Sequence, residues 1–364
     1  MKITKIILAV LMIAALALPC AFAAGYPGEG IPTVEKSMAG YSYTTPENLI
    51  ADLQAAGTPG SVDIRPAFVP ANELIAICAA LPETRIFCMT ELAGVTVDTS
   101  AEEIDLSKCI VADQALFADS LVCFPRLNKV VMEDAQNADN LFFEGLMARY
   151  PDIEFVWRVY FGTWSLRTDA LAFSTLNSND SVRYTSEDFS PLRYCTKLRA
   201  LDLGHNVITD ISFLENMPDM KILILADNCI VDISPLAKLG KLEYIELFMN
   251  EIVDFSPLSG LNRLLDLNLC HNKAVDASPL KSLVQLERLW LSYNREMPKS
   301  ETEAVQEALP NCLCNFEIFY STHGNWRGHD RYAVVKWIFD HGEYLEWDAD
   351  VPSAKEQFAA QQGG

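Results

Sequence analysis

Three observations in the sequence predict an α/β fold built from repeated strand-and-turn coils. Residues 198–294 carry one pattern at a period of 22 without insertion, as four full copies and a partial fifth. Leucines alternate at period 2 within each copy, as in a strand with one face against a core. A tripeptide that begins with serine follows each strand pattern and is Ser-Pro-Leu in three of the copies, which indicates a short turn. Each copy therefore predicts one strand and one turn.

A column of asparagines keeps the phase of the leucines and ends each predicted strand. An asparagine amide carries two donors and an acceptor, so it can satisfy backbone groups in its own turn and the next. The column therefore predicts a ladder of hydrogen bonds. Its members stand 22 residues apart: Asn206, Asn228, Asn250, Asn272 and Asn294.

The segment after each asparagine contains residues that are typical of the N-terminus of a short helix. Ser234, Ser256 and Ser278 are predicted N-caps, each followed by a proline at the first helical position. Few residues remain in each copy, so one or two turns of 3₁₀ helix are expected. An aspartate column precedes the serines, and its spacing favours turn-forming side chains over a metal ladder.

This pattern, LxxLxLxxNxIxDISPLxxL, resembles the 22-residue leucine-rich repeats of internalins and of the phosphatase regulators related to them. The resemblance implies a leucine-rich-repeat solenoid with a parallel β-sheet on its concave side. Residues 152–168 and 297–350 also look like a group of exported bacterial leucine-rich-repeat proteins. That second resemblance implies architecture and compartment, without an activity.

The chain begins like a signal peptide. Lys2 and Lys5 precede an apolar stretch of thirteen residues, and Ala21-Phe22-Ala23 predicts cleavage before Ala24. An uncleaved anchor is the alternative, but the stretch is shorter than the roughly 20 residues that span a bilayer. Lipid anchoring through Cys20 is a second alternative, although Pro19 departs from the usual motif. A secreted or cell-envelope protein without a transmembrane segment is therefore expected.

The rest of the chain is expected to be irregular around the repeats. A helix is predicted at 46–56, and hairpins are predicted around Ala93-Gly94 and Gly162-Thr163. Residues 71–197 are interpreted as irregular repeats with hairpin insertions, with a separate α+β domain as the rival. The predicted division is 1–23 signal peptide, 24–70 linker and N-terminal segment, 71–197 irregular repeats, 198–296 regular repeats, and 297–364 C-terminal cap and tail.

Charge and motifs exclude several classes of function. The net charge of -21 disfavours nucleic acid and anionic membranes as partners, because phosphates need a basic surface. The sequence carries no familiar catalytic motif, so no enzyme activity, cofactor or metal is predicted. Nine cysteines remain after signal cleavage, and only Cys312-x-Cys314 is a close pair. Most are expected to be buried thiols, and one or two disulfides are the alternative.

The predicted binding surface is the concave sheet, at strand positions that alternate with the leucines. Aromatic side chains and a methionine recur there among acidic ones, as on protein-recognition surfaces. Two alternatives are that they only favour strand formation and that Trp290 and Tyr293 pack under the C-terminal cap. The predicted partner-binding residues are Ile222, Ile224, Tyr244, Glu246, Phe248, Met249, Trp290 and Tyr293.

These observations favour a secreted or cell-envelope protein that binds a protein or peptide on its concave face. A basic partner is expected because Asp202, Glu246 and Asp266 share that face. A structural envelope component is the second hypothesis. An enzyme with its site among the histidines and tryptophans of residues 297–350 is the third.

Overall fold

A computed structural model describes residues 34–176, 182–318, 320–353 and 356. The predicted signal peptide, its cleavage site and Cys20 lie outside these residues. The chain divides into two compact units, one up to Arg158 and one from Val159. Within the described ranges, no helix is both long enough and apolar enough to cross a membrane.

Four α-helices lie in the described part of the N-terminal unit, residues 34–158. The prediction of a helix at 46–56 is confirmed, and it begins after Thr45, whose hydroxyl accepts a hydrogen bond from the Asn48 backbone N–H (3.3 Å). Its buried side chains, Leu49 and Leu53, lie one turn apart on the face turned to the core. The helices are α1 Pro46–Ala55, α2 Ala71–Ala80, α3 Gln114–Ser120 and α4 Asn140–Arg149.

The strands described between β1 and β7 form two sheets. One has the order β1-β2-β3-β4, parallel except for the antiparallel pair β3–β4, and the other is the parallel sheet β5-β6-β7. The predicted hairpin turn at Ala93-Gly94 is confirmed, with both residues at positive φ. The strands are β1 Lys36–Ser37, β2 Ser61–Phe68, β3 Arg85–Leu92, β4 Val95–Asp98, β5 Glu103–Asp105, β6 Lys129–Val131 and β7 Glu154–Val156.

The second predicted hairpin is also present, with β8 and β9 paired on either side of Gly162-Thr163. The repeats then form a seven-stranded sheet, parallel and in sequence order, in which Leu223 lies beside Ile245 and Ile245 beside Leu267. The 22-residue period is thus the register of the sheet. The strands are β8 Arg158–Phe161, β9 Trp164–Arg167, β10 Ala172–Ser174, β11 Ala200–Asp202, β12 Ile222–Ile224, β13 Tyr244–Glu246, β14 Asp266–Asn268, β15 Arg288–Trp290 and β16 Leu313–Asn315.

The predicted asparagine ladder is confirmed. Asn250 donates to the carbonyl oxygens of Leu247 (3.1 Å) and Leu225 (2.9 Å), and its side-chain oxygen accepts from the Ile230 N–H (3.0 Å). The amide therefore joins its own coil to the preceding one. Leucines and isoleucines at the inward strand positions fill the space between the sheet and the turns.

The predicted 3₁₀ turns are present, but their serine N-caps are not. Ser234 is the first residue of its turn, and the carboxylate of Asp232 accepts from the Ser234 N–H (2.8 Å) and hydroxyl (3.0 Å). The aspartate two residues earlier binds the serine itself, so the serine hydroxyl donates to a carboxylate instead of accepting from an N–H further into the turn. The turns are Ser190–Tyr194, Ser212–Asn216, Ser234–Lys238, Ser256–Leu258 and Ser278–Ser282.

Only part of the C-terminal segment closes the end of the repeats. Helix α5, Lys299–Ala308, packs against the turn Ser278–Ser282, and β16 continues the sheet beyond β15. The chain then turns back, and helix α6, Asp330–His341, lies against β10 and β11. The expectation that residues 297–350 form an end cap is therefore wrong after β16, because this part covers a face of the sheet.

Candidate functional site

The concave face is here the side of the sheet that carries Ala200, Asp202 and the equivalent residues of the other strands. The cover segment, residues 316–318 and 320–353, packs on this face and forms a second hydrophobic core with it. The expectation that the predicted binding residues face solvent is wrong for six of them, which are at most 7% exposed. They are Ile222, Ile224, Tyr244, Glu246, Phe248 and Trp290.

Trp326 is the central side chain of the cover segment and is fully buried. Its ring centroid lies 5.6 Å from that of Tyr244 and 5.0 Å from that of Trp290. Its indole N–H donates to Oε1 of Glu246 (2.8 Å), which also accepts from the Tyr244 hydroxyl. The aromatic residues expected to hold a partner therefore hold a segment of their own chain.

A buried ionic network fixes the cover segment on β14. Two guanidiniums bind the fully buried Asp266 in bidentate fashion, from Arg288 (2.7 and 2.8 Å) and from Arg331 of α6 (2.7 and 2.8 Å). Burial alone would raise the pKa of Asp266, but the two arginines outweigh it and bring that pKa below its usual value. The carboxylate is thus satisfied internally and is closed to a partner.

Asp202 of β11 is buried, and none of its hydrogen-bond partners among the described residues is cationic. Its carboxyl oxygens accept from the Gly204 N–H (2.9 Å) and the Ser174 hydroxyl (3.3 Å). Burial raises the pKa of Asp202 to about 7; the Gly204 hydrogen bond opposes the shift and the charge of Glu246 adds to it. Oε2 of Glu246 has no hydrogen-bond partner among the described residues. Ionised Asp202 therefore costs folding free energy.

Asp202→Asn should flatten the dependence of stability on pH. The folded-state pKa is raised from 3.8 to about 7, so stability is highest below the lower value and falls as pH rises to the upper one. Asparagine stays neutral and keeps an acceptor for Gly204. Urea unfolding should therefore give the variant a higher midpoint than the wild type at pH 8. The exposed Asp254→Asn is the control, and equal pH dependence in Asp202→Asn and wild type would contradict the assignment.

Met249 and Tyr293, the other two predicted residues, lie at the edge of the sheet. They belong to a column that follows each strand in left-handed backbone conformation, with φ between 53° and 61°. Met249 is 47% exposed, and the half-buried ring of Tyr293 stacks on His271 at 4.2 Å. This strand-end column consists of His205, Asp227, Met249, His271 and Tyr293.

The same connecting segments, between strand and turn, carry an apolar row that the sequence analysis missed. Val231, Val253 and Val275 are 50–53% exposed and recur at the repeat period, so they stand on successive coils about 4.8 Å apart. The available signal was an apolar residue directly after each core position Ile230, Ile252 and Ala274. We call the strand-end column and this valine row together the connecting edge.

The connecting edge is also acidic. Four exposed capping aspartates recur at the repeat period; three of them directly follow a valine of the row, and Asp210 follows Thr209 at the same position of its coil. Hydrogen bonds from Ser234 lower the pKa of Asp232, so that carboxyl is ionised at neutral pH. Within the described part of the chain, no group of three or more His, Cys, Asp or Glu side chains is placed to hold a metal ion. The capping aspartates are Asp210, Asp232, Asp254 and Asp276.

Comparisons with known proteins agree with leucine-rich repeats. The family model for leucine-rich repeats in two copies matches residues 196–238. Among solved structures, an internalin (inlF) from Listeria monocytogenes is 21% identical over 75% of this chain and 67% of its own, with a TM-score of 0.36. Internalin C2 of the same species is 20% identical over 63% and 88%, with a TM-score of 0.35.

A leucine-rich-repeat protein of Leptospira interrogans is 18% identical over 70% of this chain and 64% of its own, with a TM-score of 0.37. No curated protein matches the sequence.

Proposed function

We propose that this leucine-rich-repeat chain is a non-enzymatic protein of the cell exterior that binds another protein through its connecting edge. The observation that carries the proposal is the valine row, which stays about half exposed on successive coils, as does Met249, whereas the inward-facing leucines and isoleucines of the same coils are buried. Regular apolar rows on a surface otherwise rich in charge are typical of interaction sites. The internalin-like repeats and the predicted signal peptide support export.

The concave face does not serve this function in the proposal, which departs from the expectation based on sequence. Its apolar side chains already pack on the cover segment, and Asp266 is neutralised by two arginines. Opening it would expose Trp290, Trp326 and Tyr244 to water. The free energy of that burial favours a permanent contact.

The partner should present an apolar strip bordered by basic groups. The apolar strip of the partner would pack on the valines, and its basic groups would pair with the capping aspartates. Charge complementarity would then set the orientation of the partner on the connecting edge. Exposed charges are screened by salt, and rising ionic strength should therefore slow association. This acidic row replaces Asp202, Glu246 and Asp266 as the reason to expect a basic partner.

Site-specific photo-crosslinking in the native host tests the proposal. A benzophenone amino acid at Met249 should give a covalent adduct with one partner protein, identified by mass spectrometry. The same probe at Val284, which is 69% exposed but outside the connecting edge, should not give this adduct. Combining the Met249 probe with Val231→Ser, Val253→Ser and Val275→Ser should reduce the adduct at least several-fold.

Two results would count against this function. An adduct of the same partner from both positions, or one unaffected by the triple serine variant, would place the binding site elsewhere. An adduct with a second copy of the chain would favour the structural envelope component instead. Because the three valines are exposed, each serine substitution should change stability by at most about 0.5 kcal/mol, so unfolding would not explain the loss.

A further inference from the structure

Two cysteines of the N-terminal unit lie on two elements that pack against each other. Cys78 lies on α2, and Cys123 ends the 3₁₀ turn Leu121–Cys123, which packs against α2. A hydrogen bond with the Cys78 thiol, together with burial, raises the pKa of the Cys123 thiol. Both are free thiols in this structure. A contact between residues 45 positions apart in sequence brings together two groups that can be joined covalently.

Their surroundings give the two thiols different accessibility. Cys78 is half-buried and can be reached from solvent, whereas Cys123 is 4% exposed. The Cys312-x-Cys314 pair differs, because both residues belong to one chain segment at β16. Residues i and i+2 of a strand stand about 6.6 Å apart at Cα, near the upper limit for a disulfide. Cys78 and Cys123 are therefore better placed to form a disulfide than Cys312 and Cys314.

We propose that Cys78 and Cys123 are a redox modification site that closes to a disulfide between α2 and the 3₁₀ turn. The oxidant is a low-molecular-weight disulfide, RSSR. The Cys78 thiolate attacks one of its sulfurs, forms a mixed disulfide and releases RS⁻. The Cys123 sulfur then attacks the Cys78 sulfur, which forms the protein S–S bond and releases the second RS⁻. Two protein thiols lose two protons and two electrons, and RSSR becomes two RSH.

The bond would join two elements that the chain connects only through a long intervening segment. That segment contains β3, β4, β5 and α3, so cross-linking its ends restricts the unfolded chain far more than the folded one. The oxidised protein should therefore unfold at a higher temperature than the reduced protein. The predicted export of the chain would place this site in a compartment where disulfides persist.

Peptide mapping of the wild-type protein tests the proposal without any substitution. The purified chain is equilibrated with oxidised glutathione, its remaining thiols are alkylated, and the digest is analysed by mass spectrometry. A cross-linked pair of peptides containing Cys78 and Cys123, two hydrogens lighter than the free peptides, is the expected result. Alkylation of both residues, or a link from Cys78 to another cysteine such as Cys88, would overturn the proposal.

Two variants make the test specific. Cys123→Ala should leave Cys78 as a mixed disulfide with glutathione and abolish the rise in Tm on oxidation. Cys109→Ala, which removes another buried thiol of the same unit, should keep both the cross-link and the rise. A rise in Tm that persists in Cys123→Ala would show that another bond causes it and would overturn the assignment.

Discussion

Trp326→Ala should lower the free energy of unfolding by about 3–5 kcal/mol, the range typical of a buried tryptophan. The indole is fully buried between Tyr244 and Trp290, so alanine leaves a cavity at the centre of the second core. The substitution also removes the N–H that satisfies Oε1 of Glu246. Urea unfolding monitored by near-ultraviolet circular dichroism measures the loss.

The control for this prediction is Trp337→Ala on α6. Trp337 is only partly buried and stacks on the exposed His341, so its removal should cost clearly less than removal of Trp326. Equal losses for the two variants would mean that the cover segment contributes little to the stability of the repeats.

Asp266→Ala should have an effect of similar size, about 3–5 kcal/mol, because breaking a buried ion pair leaves uncompensated charge. Arg288 and Arg331 would both lose their carboxylate, and the side chain of Arg288 is only 5% exposed. Thermal and urea unfolding at neutral pH measure the loss. Asp219→Ala removes an exposed ion pair with Lys241 and should cost at most about 1 kcal/mol.

The pH dependence of the Asp266 network has the opposite sign to that of Asp202. Its folded-state pKa is lowered, so its stabilisation is present above the ordinary aspartate value and is lost as pH falls through the lowered one. Acid should therefore reduce the difference in unfolding free energy between wild type and Asp266→Ala. A difference that stays constant down to pH 2 would argue against the ionic network.

Features that repeat at the 22-residue period were predictable from the sequence. Asn250, for example, interacts with its own coil and the preceding one, so a local pattern contains nearly all the information that decides its position. The prediction of serine N-caps was wrong, and the reason is also local. Serine and aspartate both satisfy backbone N–H groups, and only geometry shows that Asp232 does so.

The burial of Tyr244 and Glu246 was not predictable in the same way. Their partner, Trp326, belongs to a segment without a repeat, and 80 residues separate it from Glu246. Alternation at period 2 identifies which side chains share a face, but it does not show what covers that face. The division of the chain at residues 70, 197 and 296 stays a prediction.

The cover segment also constrains how this gene can change in length. Repeat arrays can gain or lose whole units when each unit contacts only its neighbours. Here one stretch of chain spans many coils, from α6 on β10 and β11 to the Trp290 N–H bound by the His323 carbonyl. In-frame deletion of 22 residues would keep every coil intact yet move Asp266 away from Arg331. The number of coils between β10 and β15 is therefore expected to be invariant among functional variants, whereas an uncovered array would tolerate duplication.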